Sequence, residues 1–73
     1  MTRDEFLTEM QDVLQTDDTL TAETVLGDLA EWDSLSMMAT MAFLGKKFGA
    51  EVTMADLMAF ATIGDIAAAA GLK

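Results

Sequence analysis

Residues 30–38 read AEWDSLSMM. An aspartate and a serine follow the only tryptophan of the 73-residue chain, and a long apolar run begins at once. Asp33 is a favoured N-cap residue, so a helix is expected to start there, with Ser34 as its first residue. Two readings of the stretch stand side by side. In one, Asp33 and Ser34 merely start a helix. In the other, the serine has a chemical task. The first four N–H groups of a helix lack intrahelical partners, and the helix dipole is positive at that end. A phosphate ester on Ser34 would find donors there. An autonomous nucleophile would not be supported, because no histidine is present and no lysine is close enough to activate the hydroxyl.

Downstream, the helix is expected to end near Phe48. Lys46 and Lys47 fall in its last turn, where cations suit the dipole, and Gly49 suits a left-handed stop. Met37, Met41, Leu44 and Phe48 recur at helical spacing and are expected to form the core stripe. Leu35, Met38, Ala39, Ala42 and Phe43 lie off that stripe and are also apolar. A helix apolar nearly all round is buried on several sides or binds a partner. The plain reading is a thick core stripe with scattered exposed side chains. The sharper one is an apolar docking surface beside Ser34, to which flexible methionines are suited.

Upstream, Thr2 to Glu5 matches the helix-start signature, a hydroxyl followed three residues later by an acid. Phe6, Leu7, Met10, Val13 and Leu14 then form one stripe, so a first helix is expected over about residues 3–15. QTDDTLTAETVLGDLAEW, residues 15–32, reads as a long loop with a short helical turn, tied to the core by Leu20, Val25, Leu26 and Leu29. Trp32 reads as an anchor for that loop. The helix-start signature recurs at Thr53 to Asp56 and Thr62 to Asp65. These predict a short third helix burying Leu57 and Phe60, and a fourth burying Ile63 and Ile66 and ending at Gly71. The expected fold is all-α: one domain over residues 1–73, a four-helix bundle with a short third helix and a long loop between helices one and two.

Composition excludes several functions. No cysteine is present, which removes disulfides and thiol chemistry, and no histidine, which removes the commonest general base. Asp17 and Asp18 lack calcium-loop spacing and the five glycines form no phosphate loop, so no metal site and no catalytic residue are expected. The formal charge of −9 argues against nucleic acid. It is also unevenly placed: residues 1–33 hold ten acids against Arg3, whereas residues 34–73 hold three acids against three lysines. No apolar run reaches membrane-spanning length and no targeting signal is visible, so a cytoplasmic monomer without membrane contact is expected.

Together these residues resemble the acyl carrier protein family. The resemblance rests on DSL at 33–35, the apolar helix ending in FG at 48–49, EVT at 51–53 and FATIGDIAAAA at 60–70, in the family's order. It covers nearly the whole chain. It implies that Ser34 carries covalent 4′-phosphopantetheine, transferred from coenzyme A by a phosphopantetheinyl transferase, with Asp33 as the helix cap beside it. Acyl or aminoacyl groups would then be held as thioesters and delivered to the loading and processing enzymes of fatty acid, polyketide or related biosynthesis. The protein itself would not be an enzyme. The alternative is a small helical adaptor without cofactor. Typical fatty-acid carriers place acids along the second helix. Here SMMATMAFLGKKF, residues 36–48, has none and carries two lysines. The expectation is a specialised carrier whose partners bind by apolar contact at Leu35, Met38, Ala39 and Ala42.

Overall fold

In the computed structural model, which describes residues 1–72, Thr2 opens the first helix with a reciprocal pair of hydrogen bonds. Its hydroxyl accepts the Glu5 backbone N–H at 3.2 Å, and its own N–H donates to Glu5 Oε1 at 2.8 Å. The second bond, with the Thr2 hydroxyl alongside, holds the Glu5 carboxyl below its ordinary pKa. The box is therefore intact at neutral pH and is lost as acid protonates Glu5. Helix α1 (Arg3–Leu14) follows. Helix α2 (Ser34–Phe48) is capped by Asp33, and the short α3 (Met54–Ala59) and α4 (Ile63–Ala69) start from Thr53 and Thr62 with the same reciprocal box. The long connection between α1 and α2 holds a single 3-10 turn, Leu26–Asp28. The architecture is the expected all-α bundle.

The core gathers Phe6, Met10 and Leu14 of α1, Leu44 of α2, Ile63, Ile66 and Ala67 of α4, and Leu20 and Leu26 of the loop. Phe6 lies at its aromatic centre, with ring centroids 6.0 Å from both Phe43 and Phe48, which meet each other edge-on at 5.8 Å. Trp32 and Leu29 pack against this core, as anchors of the loop should.

The inner face of α2 differs from expectation. Its buried residues are Ser36, Thr40 and Leu44, while Met37 and Met41 are only half-buried and Phe43 turns inward. Hydropathy places hydroxyls outside, but these two have their hydrogen bonds met within their own helix. The Ser36 hydroxyl donates to the Asp33 carbonyl at 3.0 Å, and Thr40 Oγ1 donates to the Ser36 carbonyl at 2.8 Å. A side chain satisfied locally loses little on burial. The methionines then flank the buried face.

Val25 also departs from expectation. Its side chain is 46% exposed, and its backbone makes the tie. Val25 bridges to Thr62, with Leu26 N–H on the Ala61 carbonyl at 2.9 Å and Ile63 N–H on the Thr24 carbonyl at 3.0 Å. Gly64 N–H donates to the Ala22 carbonyl at 2.8 Å. A Cβ at Gly64 would stand 2.9 Å from that same oxygen, and the oxygen is backbone. Gly64→Ala is therefore expected to destabilise by about 1–3 kcal/mol, although alanine is the better helix former. An unchanged urea midpoint in this variant would show that the loop yields freely.

Candidate functional site

The site is built at the start of α2. Asp33 has extended backbone angles (φ −137°, ψ −174°) and its Oδ1 accepts the Ser36 N–H at 3.0 Å. In return the Asp33 N–H donates to Ser36 Oγ at 2.8 Å. The expected cap therefore forms. Sequence reasoning missed Ser36 as its partner, although the pattern is the familiar box with the acid first and the hydroxyl third.

Four N–H groups at a helix start lack intrahelical partners, here those of Asp33, Ser34, Leu35 and Ser36. The box satisfies the first and last. The first intrahelical bond is Met37 N–H to the Asp33 carbonyl at 2.9 Å. The N–H groups of Ser34 and Leu35 are left outside the ladder, at the positive end of a 15-residue helix. Ser34 itself is exposed. A hydroxyl in open solvent beside two unfilled donors is suited to bearing an anion rather than to attacking a substrate. The adjacent carboxylate, Asp33, is engaged as the helix cap through Oδ1.

The four apolar positions singled out on α2 are all exposed. Leu35 is 76% and Met38 58% accessible, and Ala39 and Ala42 are also open. Lys46 follows them along the same outer side of the helix, since residues 35, 38, 42 and 46 recur at three- and four-residue steps. A large apolar side chain is thus left three-quarters exposed beside Ser34. On α3, Met58 is likewise 71% exposed.

On its other flank the start of α2 borders a cleft of about 420 Å³, lined by Val13, Leu14 and Gln15 at the end of α1, Glu31 and Asp33 of the loop, and Leu35, Ser36 and Ala39 of α2. Asp33, Leu35 and Ala39 are thereby brought to one wall, while Met38 and Ala42 stay on the outer face. Val13, Gln15 and Glu31 join the site only in three dimensions. Gln15 stands in the left-handed region (φ 55°, ψ 44°), where its N–H caps α1 by donating to the Asp12 carbonyl. Non-glycine residues seldom take that conformation, and nothing in the order of residues around Gln15 signals it.

Searches of curated proteins and of solved structures return no match to the chain. A family model described as "Phosphopantetheine attachment site" does match, over residues 4–70. That span runs from the first turn of α1 to the cap of α4 and takes in all or nearly all of each helix. The chain belongs to this phosphopantetheine-binding family of carrier proteins, whose members bear a covalently attached 4′-phosphopantetheine.

Proposed function

We propose that the protein is a non-catalytic carrier and that the Ser34 hydroxyl is its point of attachment. The observation that carries this reading is the start of α2, where an exposed serine adjoins two N–H groups that the Asp33–Ser36 box leaves unfilled. These residues fit a phosphate ester in geometry and in charge. The group's terminal thiol, once attached, supplies the bond to the acyl or aminoacyl cargo. A phosphopantetheinyl transferase supplies the chemistry of attachment, since the chain has no histidine and Asp33 serves as the helix cap. Incubation with coenzyme A and a broad-range transferase, followed by intact mass, is expected to show one added phosphopantetheine. A protein that several such transferases leave unmodified would instead be an adaptor.

The partners are taken to be the acyl-loading and acyl-processing enzymes of a fatty acid, polyketide or related specialised pathway. Leu35, Met38, Ala39 and Ala42 form the docking surface for them in this reading. The support is their exposure and the lack of any acid between Ser34 and Phe48. A surface of this kind gains its energy from burying side chains, and salt screens that little. For loading by the transferase, Met38→Ala is expected to lower kcat/KM about tenfold, corresponding to ~1.4 kcal/mol of lost contact. The wild-type value should change by less than that as salt rises beyond physiological strength. A loading rate that collapses with salt and ignores Met38→Ala would refute apolar docking.

A further inference from the structure

The cleft beside α2 has an open mouth and borders the core through Val13 and Leu14. We infer that it is the resting site of the neutral part of the phosphopantetheine arm, the segment of amides, hydroxyl and paired methyl groups beyond the phosphate. This rests on attachment at Ser34. Three observations carry it.

The first is position. Asp33 and Leu35, the residues on either side of Ser34, both line the cleft. Leu35 also contributes one of the two unfilled N–H groups. A phosphate held on that N–H leaves the arm beside the Leu35 side chain, which is the cleft's own wall. A tethered ligand meets an adjoining site at high effective concentration, so modest contacts suffice to hold it.

The second is chemistry. Val13, Leu14, Leu35 and Ala39 supply apolar surface, while Glu31 and Asp33 supply carboxylates that only accept hydrogen bonds. Amide N–H and hydroxyl groups are donors, and methyl groups need an apolar wall. The donors of a neutral amide chain match these carboxylates, and its methyl groups match the apolar wall. A second anion does not match them. The cleft's volume of about 420 Å³ is also in the range of roughly 300–1,000 Å³ typical of small-ligand sites.

The third is Gln15. Glycine would take its left-handed angles without strain. Glutamine instead puts a side-chain amide, able both to donate and to accept, on a residue that lines the cleft.

The test uses loaded protein purified away from the unloaded form, with the protein isotope-labelled and the arm unlabelled. Filtered nuclear Overhauser spectra are expected to connect the arm's methyl and methylene protons to the methyls of Val13, Leu35 and Ala39. In Val13→Phe, whose ring fills the cleft, the contacts to Leu35 and Ala39 should disappear from the loaded protein. Should the loaded wild-type arm show contacts to Met37 and Met41 instead, or none at all, the cleft is not its site and attachment at Ser34 still stands. A protein that gains no mass on incubation overturns both.

Discussion

Ser34→Ala is expected to accept no phosphopantetheine and to melt as the wild type does, while Ser36→Ala, two residues on, should do the reverse. The two serines lie within one turn of the same helix, but their surroundings separate them. Ser34 is exposed, and its removal should change stability by less than about 0.5 kcal/mol, as for other surface positions. Ser36 is 7% exposed and its hydroxyl supplies one half of the box: Oγ accepts the Asp33 N–H, and it also donates to the Asp33 carbonyl. Alanine there leaves that N–H without its partner, at a cost of about 1–2 kcal/mol. The folded fraction that remains keeps its exposed Ser34 and should still be loaded completely. Intact mass and a urea titration on both variants decide the matter. A loaded Ser34→Ala protein would move the attachment point elsewhere, and an unloaded Ser36→Ala protein would blur the assignment between the two.

Phe6→Ala is the substitution expected to cost the most stability. Phe6 is fully buried, and its ring is the shared neighbour of Phe43 and Phe48. Its loss removes transfer energy and leaves a cavity bounded by α1 and α2, which together cost ~3–5 kcal/mol. A chain of 73 residues has about 4–11 kcal/mol of stability in all, on the usual scale per residue. The variant should therefore lose a large share of its urea midpoint, from about a third of the stability at the top of that range to all of it at the bottom. Met58→Ala, on a side chain 71% exposed, is the matching control and should change little. A Phe6→Ala protein that melts near the wild type would mean that the aromatic cluster repacks around the gap.

Much of the fold was legible from residues that act on their immediate neighbours. The threonine boxes at Thr2, Thr53 and Thr62, the cap at Asp33 and the stop at Gly49 all form, because each depends on groups within a few positions along the chain. Periodicity was equally reliable for α1, whose buried face is Phe6, Met10 and Leu14. It misjudged the rotation of α2, because hydropathy cannot register that Ser36 and Thr40 are already satisfied within their helix. At the site, the exposure of Ser34 follows from its place at the helix start. The cleft wall from Val13, Gln15 and Glu31 could not be read, since it depends on how the end of α1 meets the start of α2.

The backbone tie between the loop and α4 has a consequence for the order of assembly. The hydrogen bonds of the Ile63 N–H to the Thr24 carbonyl and of the Leu26 N–H to the Ala61 carbonyl join segments separated by the whole of α2 and α3. Every helix start closes over three residues, but this junction must close a ring of chain around half the molecule, and distant closures come late in folding. If the junction forms after the transition state, Gly64→Ala should quicken unfolding and leave refolding at its normal rate; a slowed refolding would place it in the nucleus. The connection that leads into Ser34 would thus be the last part of the protein to settle and the first to let go.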